Sequence, residues 1–334
     1  MLLLWHHLFA NLPAKINIKF SYLVSESAQS ANVCIAIFII LSGYGLAQAV
    51  KGKKMGVLSF YKKYFARLYL NYWLIAAIFI PIGIVFKDRT LSKVFLEQKY
   101  WKFAIQMTGF QDYFYFEGGF NSTWWYMSLI LSLYILFPFI NDLTRKYGLY
   151  FLLFCLLPLF PIGIGLPVVQ PWILPFALGV YMADRNSIVR ASALLNAAGR
   201  LRYGILASLI VTAALVKKYG FHVYRGYCVD WVYGLLIILL TFEIINSSAR
   251  VRVFLCFLGK HLFNIFLFHT FIYFYYWADY VYFFKHPLVI FIVLLAVSLV
   301  VSMMIELLKK HIYFYRLAKS IENISLSGRF ETML

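Results

Sequence analysis

An all-α bundle that crosses a membrane many times is the fold class this sequence predicts, and three observations predict it. Hydrophobic residues make up 63% of the 334 residues against 13% charged, with a mean hydropathy of +0.78, which excludes a soluble domain of this length. Apolar windows of about 17 to 22 residues, enough to cross roughly 30 Å of hydrocarbon, recur along the chain with short polar breaks between them. Basic residues crowd into alternate breaks, as they do when one side of a membrane is cytoplasmic. The whole chain, 1–334, reads as one transmembrane domain.

About ten spans are expected. The first, 1–12, reads Met1-Leu-Leu-Leu-Trp-His-His-Leu-Phe9; a helix beginning at Met1 would run roughly 18 Å, too short to cross, so a truncated first helix is expected. Span 31–50 is nearly unbroken apolar sequence, and 66–86 follows a basic stretch. Residues 87–121 are aromatic and mixed in charge, and are expected to lie along the outer surface as an amphipathic lid. Spans 122–140 and 148–166 come next. Span 169–183 is short, and Pro167, Pro171 and Pro175 favour a broken or re-entrant segment there. Spans 202–217, 229–247, 255–277 and 287–308 complete the bundle.

Charge orients these spans. One set of breaks carries Lys51, Lys53, Lys54, Lys62, Lys63 and Arg67, then Arg145 and Lys146, then Arg185, Arg190, Arg200 and Arg202, then Arg250, Arg252 and Lys260. The tail adds Lys309, Lys310, Arg316, Lys319 and Arg329. The positive-inside rule makes this side cytoplasmic, with both termini on it. The other side takes most acidic residues: Glu26, Asp88, Glu97, Asp112, Glu117, Asp230 and Asp279. The net charge of +18 then reflects topology and anionic membrane lipid, not nucleic acid. Cys34, Cys155, Cys228 and Cys256 have no metal-ligand spacing, so neither a disulfide framework nor a metal site is expected. The N-terminus lacks the basic flank and small-residue cleavage site of a signal peptide.

Chemistry begins at His6 and His7. A neutral imidazole accepts a proton near pH 7, so a histidine in apolar surroundings is a candidate general base, against the alternative of a satisfied packing residue. Adjacent residues on a helix point about 100° apart, so one of the pair is expected to face a given site. Ser42-Gly43 suits close helix packing, since small residues let membrane helices approach. Trp124, Trp125 and Tyr126 stand where an interfacial aromatic belt belongs. Glu243 lies inside span 229–247, and an ion pair with a basic neighbour such as Arg67 is expected.

Five segments belong together: His7 late in the first span, Ile40-Leu-Ser-Gly-Tyr44, the basic run from Phe60 to Tyr69, Trp125-Tyr-Met-Ser through Tyr134 to Pro138, and Leu267-Phe-His269. In kind and order they resemble the acyltransferase 3 family of membrane acyltransferases, whose members include O-acetyltransferases of bacterial surface polysaccharides. The family usually carries a basic residue about eleven positions before the first-helix histidine, and this sequence begins too late to contain it.

The resemblance implies an integral protein of the bacterial plasma membrane that transfers an acyl group, most simply acetyl, from cytoplasmic acyl-CoA. The acceptor would be a hydroxyl of a surface polysaccharide or its lipid-linked precursor, with no metal or prosthetic group. A hydroxyl is a poor nucleophile until a base takes its proton, which is work for His7, with His6 its neighbour and His269 a second site residue. Tyr134 is the candidate hydrogen-bond donor to the thioester carbonyl. Arg67, Lys63 and Lys62 are candidates for the CoA phosphates, with topology the competing explanation for the lysines. Trp124 and Trp125 could stack on a sugar, against the aromatic belt as the competing explanation, and Ser42 is a substrate-binding candidate through a covalent acyl-serine, against close helix packing. The competing classes are a transporter or lipid-linked glycan flippase, expected to show repeats or interrupted helices in matching halves, and a membrane glycosyltransferase, expected to show an early external acidic pair.

Overall fold

The computed structural model describes residues 1–53, 56–114, 118–156, 168–220 and 227–323. Lys54, Glu117, Pro167, Arg329, the second half of span 148–166 and the Cys228 side chain lie outside the described residues. Their regular elements are all helices, without a β-strand among the described residues. Six helical stretches are long and apolar enough to cross a membrane: Tyr22–Val50, Val57–Lys87, Ser122–Tyr147, Val229–Ser247, Ala249–Tyr276 and Pro287–His311. They coincide with six of the expected spans. The protein is therefore a polytopic helical membrane protein.

The expected spans 1–12, 169–183 and 202–217 form shorter helices, and the described part of 148–166 is helical at its start. Helix α1 is Leu2–Ala10, α2 is Tyr22–Ser30, and a single 3-10 turn joins α2 to α3, Cys34–Val50. Helix α4, Val57–Lys87, runs through Pro81 and closes on Asp88 in the left-handed conformation, φ 52°. Two short helices, α5 (Leu91–Phe95) and α6 (Lys99–Thr108), lead to α7, Trp125–Tyr147, and then to α8, Leu149–Phe154. Helix α9, Ile173–Arg185, has 13 residues, too few to span. Helices α10 (Ser187–Asn196) and α11 (Leu201–Leu215) precede α12 (Tyr227–Ser247) and α13 (Ala249–Thr270). A π-helical turn, Phe271–Tyr276, extends α13; α14 (Ala278–Val281), α15 (Pro287–His311) and α16 (Phe314–Asn323) follow.

Glycine sets the closest helix crossing. A Cβ on Gly43 of α3 would stand 2.3 Å from the Phe176 carbonyl oxygen, and one on Gly179 of α9 would stand 2.0 Å from that of Ile40. The two backbones therefore touch, as small residues allow where no water competes for burial. At one end of this pair Lys51 donates to the carbonyls of Ala183 and Asp184 at 2.9 and 3.2 Å, and Arg145 of α7 approaches Asp184 at 3.9 Å. The first turn of α7 lies at the opposite end, about 30 Å away along its axis.

Residues 87–121 differ from the expected surface lid: much of the segment is sewn into the bundle. Gln106 is fully buried, its side chain bonding Gln111 at 2.6 Å and the Phe120 N–H at 3.0 Å, while Tyr72 donates to its carbonyl at 2.6 Å. The Arg89 guanidinium lies 3.8 Å over the Tyr275 ring and donates to the carbonyls of Gly119 and Phe120 at 3.2 and 3.0 Å. Backbone polar groups inside a membrane protein need such partners, which is why a polar-aromatic segment folds inward here.

Three ionic expectations change. Glu243, 2% exposed, pairs with Arg202 at 3.0 Å, not with Arg67. Asp230, expected in an external loop, is buried in the first turn of α12 and pairs with Lys217 at 2.6 Å. Lys309, expected as a topology signal in the tail, is buried and donates to Glu306 at 2.6 Å and to Asn264 at 2.8 Å. In each case a charge deep in the protein takes a nearby partner because leaving it alone costs several kcal/mol, on the order of 3–5.

Candidate active site

Helix α1 is short, and side chains of distant segments hold it. Trp5 donates to Ser27 at 3.0 Å, the His6 Nδ1 lies 2.8 Å from the Ala28 carbonyl, and Tyr282 donates to the Leu8 carbonyl at 2.8 Å. The carbonyl can only accept, so His6 is a hydrogen-bonded anchor with its Nδ1 protonated. His7 points elsewhere, as helical geometry requires of the next residue. Its ring centroid is 5.0 Å from that of His269 and 6.4 Å from Tyr273. His7 is half-buried, whereas His269 is fully enclosed and stacks on Tyr273 at 5.9 Å.

His269 sits at the end of α13, where Nδ1 approaches the carbonyls of Ile265 and Phe266 at 2.9 and 3.0 Å. Across from it, Asn121 and the turn Ser122–Trp124 press against the same helix: Asn121 Nδ2 and Trp124 Nε1 both donate to the Leu267 carbonyl, at 3.1 and 2.9 Å. Two imidazoles from opposite ends of the chain thus meet in an apolar interior, one of them accessible. That arrangement can take a proton from a hydroxyl delivered to His7.

The comparison with known families decides the class. Residues 1–307 match the acyltransferase 3 family, described as an acyltransferase domain. The chain belongs to that family. No curated protein and no solved structure matches it. It is accordingly an enzyme that transfers acyl groups.

In this acyltransferase the remaining predicted residues fall into separate groups. Ser42 of α3 lies near Tyr126 and Tyr134 of α7. The Tyr126 ring packs on Phe266 at 4.9 Å, one turn before His269. Tyr134 lies about 12 Å further along α7, so the structure does not bring it to the histidines. Arg67 is exposed on α4, and Lys62 and Lys63 are half-buried one turn before it. Trp124 is fully buried, edge-on to Tyr72 at 4.7 Å, and its N–H is taken by Leu267. It offers no face to a sugar, which corrects its assignment to stacking; Trp125 beside it is half-buried.

Sequence reasoning missed the polar residues around His269: Asn121, Thr123 and Thr270. The available signal was Asn-Ser-Thr directly before the tryptophan pair, three polar residues where apolar sequence should begin. It also missed a second buried group on α13 and α15, in which Asn264 donates to Ser302 at 3.2 Å and to Glu306 at 2.7 Å, with His261 2.9 Å from Ser302. An apolar cavity of about 640 Å³ opens between α4, the π turn and α15, lined by Ile78, Phe79, Ile272, Val297, Met304 and Leu308. Its described lining carries no acid–base side chain.

Proposed function

We propose that this acyltransferase is an O-acetyltransferase of the bacterial plasma membrane, taking acetyl from cytoplasmic acetyl-CoA to a hydroxyl of a surface polysaccharide or its lipid-linked precursor. The observation that carries this reading is the approach of His7 to His269, with His7 the accessible partner. His7 acts as general base, taking the acceptor proton as the hydroxyl attacks the thioester carbonyl. Ser42, Tyr126 and Tyr134 line the route of the acyl group, and Tyr134 donates to the thioester carbonyl on the way in, before it reaches the histidines. Arg67, Lys63 and Lys62 attract the CoA phosphates at the cytoplasmic end of α4, and Trp125 stacks on the acceptor sugar. About ten segments contribute to the bundle, with both termini cytoplasmic. The grouping of Lys51, Arg145 and Arg185 at one end supports that orientation.

The test is surface-glycan O-acetylation, read by NMR of purified polysaccharide, in cells with the gene intact, deleted, and rescued by wild type or His7→Ala. Deletion should remove acetyl signals, wild type should restore them, and His7→Ala, present in the membrane at normal level, should restore about 1% or less. Unchanged acetylation on deletion would overturn the glycan assignment.

A further inference from the structure

His269 is buried at the end of a hydrogen-bonded chain whose direction the chemistry of its members fixes. Its Nδ1 faces two backbone carbonyls, which only accept, so Nδ1 carries a proton and Nε2 is the atom left to react. Nε2 is 3.5 Å from the Thr270 hydroxyl, the long end of the hydrogen-bond range. Thr270 Oγ1 is 3.2 Å from Thr123 Oγ1, which is 2.7 Å from Asn121 Oδ1. The Asn121 amide has one orientation: its oxygen also accepts from the Thr123 N–H at 3.0 Å and its nitrogen donates to the Leu267 carbonyl. The Thr123 proton is therefore committed to Asn121, and the Thr123 oxygen can only accept from Thr270.

This polarity suits one protonation state of the histidine. When Nε2 carries a proton, it donates to Thr270, which donates to Thr123, which donates to Asn121, and every member is satisfied in the same sense. The chain ends on an amide oxygen, which accepts a hydrogen bond but does not take the proton itself. It can hold a charge at His269 but cannot drain it. All four residues are buried, at 0% exposure for Asn121 and His269, 1% for Thr270 and 4% for Thr123, so water does not substitute for any of them. Arg89 fixes the far end by gripping the Gly119 and Phe120 carbonyls directly before Asn121.

We propose that Asn121, Thr123 and Thr270 are positioning residues that aim His269 Nε2 and hold the positive charge this ring carries when the acceptor proton, taken first by His7, passes to it before leaving with the CoA thiolate. This rests on the acyl-transfer reading of the histidine pair. Transfer of labelled acetyl from acetyl-CoA to membranes bearing the protein gives apparent kcat and KM. Thr270→Val and Thr123→Val, nearly the same shape without the hydroxyl, should each lower kcat about 10- to 100-fold, the worth of one hydrogen bond to a charged group, with KM for acetyl-CoA unchanged. Thr270→Ser, which restores the hydroxyl, should recover most of the rate. Wild-type kcat in both valine variants, or equal loss in Thr270→Ser and Thr270→Val, would overturn the proposal. A second measurement needs no substrate: nitrogen-15 NMR of histidine-labelled protein, with His269→Gln for assignment, should show neutral His269 protonated at Nδ1. Protonation at Nε2 would overturn the proposal even if the variants misfold. Absence of acetyl transfer by the wild-type protein would count against the acyl-transfer reading alone, with the nitrogen-15 result still deciding the ring's state.

Discussion

Replacing Gly179 by alanine tests whether the α3–α9 crossing is as tight as it stands. Ordinary contact begins near 3.4 Å, whereas a Cβ at Gly179 would find 2.0 Å to the Ile40 carbonyl oxygen, so the helices must part by about 1.4 Å. At Gly43 the available distance is 2.3 Å and the shortfall about 1.1 Å. Neither obstacle is a side chain able to swing away. Overpacking of this kind costs ~1–3 kcal/mol, and these contacts belong at the upper end because backbone must move. The same displacement carries Ser42, adjacent to Gly43, away from Tyr126 and Tyr134. A misplacement near 1 Å in a catalytic arrangement can cost on the order of a hundredfold in rate. The control is Gly45→Ala, two residues further along α3, where nothing lies within 4 Å. It removes only the conformational freedom of glycine and should leave stability equal or raised by ~0.5–1 kcal/mol. The assay is thermal unfolding in detergent beside acetyl transfer. Gly179→Ala and Gly43→Ala should unfold several degrees lower and lose most activity, and Gly45→Ala should do neither. Equal behaviour of all three variants would refute the crossing.

Removing charge at Glu243 by Glu243→Gln should lower thermal stability by leaving Arg202 without its carboxylate, and Arg202→Gln in the same chain should recover part of the loss. Arg67→Gln should weaken acetyl-CoA, read as a raised KM. Trp124→Ala should destabilise the protein by ~3–5 kcal/mol, as loss of an enclosed aromatic does. Trp125→Ala should keep the fold and raise KM for the acceptor, a split checked by unfolding and transfer assays run side by side.

The long helices were legible because hydropathy over some 18 residues has few explanations besides hydrocarbon. Ile173–Arg185 was not legible as a short element: apolar sequence does not say whether it faces lipid or fills a protein interior. The meeting of His7 and His269 was readable from motif order, since both mark family segments running in the same direction. The partner of Glu243 was not, because Arg67 and Arg202 are equally basic in sequence and only the path of α11 beside α12 selects between them. Trp124 looked like an interfacial residue at a helix start, and its enclosure depends on Tyr72 and Leu267 arriving from two other helices. Asn121 and Thr270 passed unnoticed for a related reason. Short polar side chains barely change hydropathy, and the residues they bond lie more than a hundred positions away.

The way α1 is held also governs when the enzyme can be finished. Tyr282 fastens Leu8 across 274 positions of chain, and the partner ring of His7 arrives almost as late. At a synthesis rate of roughly 5–20 residues per second, Leu8 leaves the ribosome about 14 to 55 s before the tyrosine that fixes it. Through that interval the nine-residue helix has α2 beside it but lacks the wall formed by α13 to α15. A nascent chain stalled before those helices emerge would sit in the membrane with α1 lacking these contacts, and release of the last helices is what supplies them.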